Sequence, residues 1–271
     1  MKKTILVTGG TGFIGSHTTV ELQNAGYDVV IVDNLSNSQA DVVDGIEKIT
    51  GIRPAFEEVD CCDLAGLEAV FQKYPGIQGI IHFAASKAVG ESVEKPLMYY
   101  ENNLLSLINL LKLMPKYDVK GIIFSSSCTV YGQPDPENLP VTEEAPIKKA
   151  ESPYGNTKQI NEEIVQDYVK SGAPISAILL RYFNPIGSHP SGIIGEMPNG
   201  VPANLIPSLT QTAIGIRPCL SVFGDDYDTP DGSCIRDFIY VLDLAKAHVA
   251  AMARILEGKN TEPVEIYNVG T

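Results

Sequence analysis

The sequence predicts an α/β protein, a doubly wound parallel sheet followed by a smaller C-terminal unit. Three observations carry this. Near-continuous apolar, β-branched runs recur through residues 1–185, amphipathic stretches lie between them, and a glycine-rich turn joins the first run to the first helical stretch. Strands buried on both faces of a parallel sheet have no polar side, so they read as continuous rather than alternating runs. Their alternation with helices gives the doubly wound arrangement. A chain of 271 residues with 44% hydrophobic content is long enough to bury a large core.

In order, the strand candidates are Thr4 to Thr8, Asp28 to Asp33, Ala55 to Val59, Ile77 to Phe83, Gly121 to Ser125 and Ile175 to Tyr182. Helix candidates between them are Ser16 to Ala25, Leu64 to Lys73, Leu97 to Met114 and Ser152 to Ser171. After Asn184-Pro185, Gly, Pro and Ser cluster through Pro202 and the periodicity is lost, which places a boundary between a first part, 1–185, and a second part, 186–271. That second part offers a helix from Asn204 to Ile214, short strands at Leu220 to Phe223 and Asp237 to Val241, a helix from Asp243 to Leu256, and a last strand, Val264 to Val269, returning to the main sheet. The two prolines between Gln133 and Asn138 mark a surface excursion.

A formal charge of -13, from 33 acidic against 20 basic residues, argues against nucleic-acid phosphates or an anionic membrane as the main partner. The start, Met1-Lys2-Lys3, has the charge of a signal peptide, but the apolar run after it stops at Gly9-Gly10, so neither a secretion signal nor a membrane span is expected. Five cysteines without zinc-ligand or C-x-x-C spacing suit reduced thiols in a cytoplasmic protein with no metal site.

Thr8-Gly9-Gly10-Thr11-Gly12-Phe13-Ile14-Gly15 follows a predicted strand and opens a predicted helix. Glycines there allow a sharp turn and close approach of the backbone to a pyrophosphate, and the free amides of a helix N-terminus favour its negative charge. This is the Rossmann fingerprint. Asp33 ends the second strand, where a carboxylate accepts hydrogen bonds from the adenosine ribose and repels a 2′-phosphate, so NAD is expected rather than NADP.

Ser152-Pro153 reads as a helix start, which stacks Tyr154 and Lys158 on one face. An ammonium four residues on stabilises phenolate and lowers the tyrosine pKa, making a proton acceptor. Ser125-Ser126-Ser127 closes the fifth strand at the same sheet edge as the glycine loop. Ser127, Tyr154 and Lys158 with a dinucleotide form a set suited to hydride exchange between a carbinol carbon and nicotinamide.

These segments, with His82-Phe83-Ala84, Lys87-Ala88-Val89-Gly90-Glu91-Ser92, Arg181-Tyr182-Phe183-Asn184, Val222-Phe223-Gly224 and Asp226-Tyr227-Asp228-Thr229, resemble the UDP-glucose 4-epimerase family of extended short-chain dehydrogenases/reductases over nearly the whole chain. The resemblance implies that Gly9, Gly12 and Gly15 with the amides of Phe13 and Ile14 hold the NAD pyrophosphate. It implies Asp33, Asn34, Asn37, Ser38, Asp60 and Cys61 on the adenosine side, and Phe83, Ala84, Lys87, Asn102 and Tyr182 near the nicotinamide half or its pyrophosphate.

By the same matching Tyr154 is the catalytic base, Lys158 tunes it and binds the nicotinamide ribose, and Ser127 bridges to the sugar hydroxyl. The UDP-hexose falls to Asn184, Asn204, Leu205, Val222, Phe223 and Arg236, with Lys87, Ser127 and Tyr154 also against it. Oxidation at C4 to a 4-keto sugar, rotation and hydride return would interconvert UDP-glucose and UDP-galactose. Relatives pair the helices 97–114 and 152–171 into a four-helix homodimer interface. The chain ends at Thr271 inside a motif that the family continues, which implies an incomplete substrate domain.

Ala85 stands where the family has glycine, and Cys128 where it has alanine. A 4,6-dehydratase or a decarboxylase would begin with the same oxidation. A dehydratase, however, needs an Asp-Glu pair where this chain reads Ser127-Cys128-Thr129-Val130. A non-catalytic NAD-binding sensor would shed the Tyr/Lys pair, which is present here.

Overall fold

The computed structural model describes residues 2–271, so Met1 of the lysine-bearing start lies outside it. A seven-stranded sheet forms the centre, built from β1 (Thr4–Thr8), β2 (Asp28–Asp33), β3 (Ala55–Glu58), β4 (Ile77–His82), β5 (Gly121–Ser125), β6 (Ser176–Tyr182) and β9 (Val264–Val269). Their order is β3-β2-β1-β4-β5-β6-β9, and every pairing is parallel. The chain reverses its winding between β1 and β4, which opens a crevice outside the carboxyl ends of those strands.

Successive side chains of β1 point to opposite faces, so Ile5 and Val7 join one core while Leu6 joins the other. The first core lies against α1 (Phe13–Asn24), α2 (Val42–Thr50) and α8 (Val241–Leu256) through Val20, Ile46 and Met252. The second lies against α3 (Leu64–Lys73), α5 (Pro96–Lys116) and α6 (Pro153–Lys170) through Phe71, Leu110 and Val165. Two short helices, α4 (Val89–Glu94) and α7 (Leu205–Ala213), complete the helical set.

The expected boundaries of β1, β2, β5, β9 and α3 agree with the structure residue for residue. Besides α2 and α4, which the sequence did not announce, and shifts of one or two residues at other element ends, three features differ. The helix after the glycine turn starts at Phe13, not Ser16, because Gly12 itself is the N-cap. Leu220 to Phe223 is not a strand: none of the described strands pairs with it, and Phe223 is 92% exposed. An apolar run without a neighbouring ladder has nowhere to place its backbone hydrogen bonds. The third difference is β7 (Asn184–Ile186), which pairs in parallel with β8 (Phe238–Tyr240) as a separate ribbon across the position where the composition changes.

The last strand is clamped by Glu265. Its carboxylate accepts two hydrogen bonds from Arg254 of α8, at 2.7 and 2.9 Å, and one from the Thr261 amide at 2.8 Å. Above all the Arg254 pair, and then these amide and hydroxyl donors, hold the carboxyl down at about 2 from its usual 4.5, against the opposing effect of burial. The folded-state pKa is depressed, so the stabilisation is complete above the unfolded value and is lost as pH falls from about 4.5 through about 2. Glu265→Gln should therefore lower the melting temperature at pH 7 and leave it nearly unchanged at pH 2, as thermal unfolding followed by circular dichroism would record. Equal losses at both pH values would assign the clamp to shape rather than charge.

Candidate active site

The glycine turn is built for contact with a ligand backbone. Gly9 has φ +69°, and a Cβ there would stand 2.8 Å from the Ala84 amide nitrogen. A Cβ on Gly15 would overlap the Gly9 carbonyl oxygen. Gly12 caps α1 without a side-chain bond, so the first amides of the helix, at Phe13 and Ile14, face the crevice with no intrahelical partner. This cradle fits a pyrophosphate.

Beside it Asp33 ends β2, buried, with Oδ2 accepting from the Thr11 amide at 3.2 Å and Oδ1 from the Leu35 amide and Ser38 Oγ at 2.9 and 3.0 Å. A carboxylate offers about four acceptor positions, so it can still receive a ribose hydroxyl. Asn34 and Asp60 are joined at 3.1 Å on the same edge, while Asn37 is exposed and Cys61 buried. The Cys61 side chain points into the core, and its carbonyl accepts from Asn109 Nδ2 at 3.0 Å.

Tyr154 sits in the first turn of α6, and that turn is fixed by Ser152, whose hydroxyl accepts from the Gly155 amide at 3.1 Å. Lys158 is fully buried; its Nζ donates to the Ser125 carbonyl at 2.6 Å and lies 5.8 Å from the centre of the Tyr154 ring. Burial pushes the Lys158 ammonium down to about 8, with Glu162 pulling the other way.

The expected lowering of Tyr154 does not hold in the protein alone. Burial, reinforced by Tyr182, holds the phenol above its ordinary value, and the Ser127 hydroxyl works in the opposite sense. Ser127 itself is buried at the end of β5 and accepts from the Thr129 amide at 3.2 Å. Tyr182 meets Ser125 at 2.8 Å, and burial pushes its phenol up to about 12.

Phe83 and Ala84 follow β4 directly. Phe83 packs on the buried ring of His248 with centroids 4.7 Å apart. Asn102 donates to Ser86 Oγ at 3.3 Å, tying α5 to the loop that carries Lys87. Lys87 pairs with Glu196 at 3.3 Å, and Glu196 also accepts from Asn204 Nδ2 at 2.5 Å, so one carboxylate brings together two of the residues assigned to ligand from the sequence. Asn184 donates to the Asp237 carbonyl at 2.8 Å.

Leu205, Val222 and Phe223 are exposed, and among the described residues Arg236 bonds only to the carbonyl of the preceding Ile235 at 2.8 Å. The Arg236 guanidinium is nevertheless near enough to Cys128 to favour its thiolate, although burial dominates and pushes that thiol up. The residues toward the cofactor and the Ser127, Tyr154, Lys158 set thus converge on one sheet edge, whereas Val222 and Phe223 stand apart on open coil.

Sequence reasoning passed over Glu196, Glu162 and Arg181 as individual groups. Glu162 had a signal, its spacing of four from Lys158; Glu196 had none, lying in an aperiodic loop.

A parallel sheet in this strand order, a glycine cradle at its winding reversal and a Tyr/Lys pair beside it define a dinucleotide-dependent protein that handles a hydroxyl-bearing substrate. The chain belongs to the NAD dependent epimerase/dehydratase family, whose pattern matches residues 5–270. It is 51% identical to the UDP-glucose 4-epimerase of Dictyostelium discoideum over 98% of this chain and 76% of that protein. With the Bacillus subtilis UDP-glucose 4-epimerase it shares 51% identity over 98% of this chain and 77% of that one. The crystal structure of UDP-glucose 4-epimerase from Bifidobacterium longum in complex with NAD+ and UDP superposes with a TM-score of 0.94 at 50% identity, covering 99% of this chain and 78% of that one.

Proposed function

We infer that this chain interconverts UDP-glucose and UDP-galactose by inverting C4 of the hexose with NAD at the glycine cradle. The observation that carries the reading is the meeting of Ser127, Tyr154 and Lys158 beside that cradle, in a chain about half identical to UDP-glucose 4-epimerases. Bound there, NAD supplies a hydride acceptor that can return what it takes, so the reaction needs no added reductant.

The chain's own residues do the rest. Tyr154 takes the proton of the 4-hydroxyl and gives it back after the keto sugar has turned over. Ser127 orients that hydroxyl, and Lys158 supplies the positive charge that favours phenolate and holds the cofactor's ribose. Arg236, Asn204 and Asn184 grip the uridine diphosphate, with Arg236 matched to the phosphates. The hexose itself must be held loosely enough to turn. Residues 1–185 form the dinucleotide part and 186–271 the sugar-nucleotide part, although α8 and β9 of the latter pack on the main sheet.

Incubation of the purified chain with UDP-galactose, scored for UDP-glucose by chromatography, tests this against Tyr154→Phe. Appearance of a 4-keto-6-deoxy sugar instead would reassign the chain as a dehydratase.

The same reading supports a homodimer through α5 and α6. Leu97, at the start of α5, is 81% exposed, and Val93 of the adjoining α4 is 62% exposed. Light scattering at micromolar concentration should give twice the chain mass; a monomer mass would remove this part. Among the described residues no helix is long and apolar enough to cross a membrane, and the free thiols fit the reducing cytoplasm.

A further inference from the structure

Behind the Tyr154–Lys158 face lies a buried polar network that the chemistry above leaves unused. Glu162 follows Lys158 by one helical turn and Tyr154 by two, on the same side of α6. Its Oε1 accepts from Ser126 Oγ at 2.5 Å and from Arg181 Nε at 3.0 Å, and its Oε2 from Arg181 Nη2 at 2.6 Å. Arg181 Nη1 donates to the Tyr131 hydroxyl at 3.0 Å, which in turn donates to Asn268 Oδ1 at 2.6 Å. Ser126, Tyr131, Glu162 and Arg181 are all buried.

These residues come from α6, the segment just after β5, the 3₁₀ turn Cys128–Tyr131, β6 and β9, so the network ties the catalytic helix to the strand ends and the turn beside it. An apolar set of the same volume would hold these elements together without the desolvation cost of a buried ion pair. Cohesion alone therefore does not account for a charged pair at this place.

We propose that Glu162 is a positioning residue for the reaction, locking Lys158 and the Ser126-Ser127 strand end into register through Arg181 and presenting its negative charge one turn behind the Lys158 ammonium. The proposal rests on the reading of Ser127, Tyr154 and Lys158 as the reacting set. The titratable groups around that set are Tyr154 and Glu162 on α6, His82 on β4, Tyr99 on α5, Cys128 on the 3₁₀ turn, and Arg181 and Tyr182 on β6.

His82 is neutral, since burial, assisted by the charge of Lys158, holds its imidazole at about 3. Burial holds the tyrosines and Cys128 in their protonated forms as well. Glu162 is the anion of the group. Removing its charge leaves burial of Lys158 unopposed, so the lysine titrates lower and the alkaline limb of turnover moves to lower pH.

The test titrates Lys158 directly in the full chain carrying ε-carbon-13 lysine, with Lys158→Met identifying its resonance. The wild-type midpoint should lie at about 8. In Glu162→Gln it should fall by roughly one unit, the smaller end of what a close opposite charge contributes. Turnover above that pH should then fall by up to about tenfold, because one unit is a factor of ten in charged fraction, with KM for UDP-galactose unchanged.

Should Glu162→Gln alone fail to fold with Arg181 left uncompensated, Glu162→Gln with Arg181→Met removes both charges and should shift the midpoint in the same direction by less, because loss of the Arg181 cation partly offsets loss of the Glu162 anion. A Lys158 midpoint unmoved in the folded variant overturns the proposal. Because the titration does not depend on turnover, an inactive wild-type chain would count against the proposed activity and leave the result for Glu162 standing.

Discussion

Tyr154→Phe lowers the conversion of UDP-galactose to UDP-glucose by about 10³-fold, inside the range that a positioned proton-transfer group contributes. The substitution deletes one oxygen and keeps the ring, so the buried packing of Tyr154 and the Ser152-capped first turn of α6 are retained. What disappears is the atom that exchanges a proton with the sugar. Water does not replace it, because the site is buried and the neighbouring Ser127 is itself within the folded interior.

The phenol is not a ready base. Burial and Tyr182 hold it protonated in the protein alone, which places the burden of forming phenolate on the cationic neighbour Lys158 and the hydroxyl of Ser127. The assay is the chromatographic one, without added reductant, with retained NAD binding showing that the cradle is intact. A variant keeping more than about a tenth of the wild-type rate would fall below the usual contribution of a general base and move that role away from Tyr154.

The sheet was legible because its strands are buried on both sides: Thr4–Thr8, Asp28–Asp33 and Gly121–Ser125 are unbroken apolar runs bounded by turns or polar residues. The α2 helix was not. Val42, Val43, Ile46, Ile49 and Thr50 are β-branched, and Gly45 weakens the helix further, so local preference speaks against it. Tertiary packing decides instead, since Gly45 lets the Ile194 side chain come so close that a Cβ would stand 2.9 Å from it.

The reverse error at Leu220 to Phe223 has the same origin: the apolar run suggested a strand, but strand formation depends on a neighbour that local sequence does not reveal. In the site, Tyr154 and Lys158 were legible from helical spacing and Asp33 from its place at a strand end. The Glu162–Arg181 pair was not, because a bidentate contact across 19 positions depends on how α6 lies against β6.

Gly15→Ala tests the cradle itself, and its effect follows from where the added carbon would go. The new Cβ would overlap the Gly9 carbonyl oxygen and stand 2.8 Å from Gly10 Cα and 3.0 Å from the Gly9 carbonyl carbon. All three are backbone atoms, so no side chain can rotate away. Gly9 cannot move freely either: its amide donates to the Val32 carbonyl at 2.8 Å, and its own carbonyl accepts from the Gly12 amide at 3.1 Å.

The turn must therefore open, displacing the α1 amides that face a bound pyrophosphate. Overpacking of this kind costs about 1–3 kcal/mol of stability. Loss of the anion cradle should weaken NAD binding by about 10²-fold, equivalent to ~2.7 kcal/mol. Calorimetric titration of cofactor-stripped protein measures the second effect, and thermal unfolding the first.

Gly26→Ala is the control that separates them. Gly26, unlike Gly15, has positive φ, +89°, and nothing lies within 4 Å of its added Cβ. It should lose about 1–2 kcal/mol of stability through backbone strain alone and bind NAD as the wild type does. Equal NAD affinities for the Gly15 and Gly26 variants would mean that the glycine turn shapes the fold without touching the cofactor.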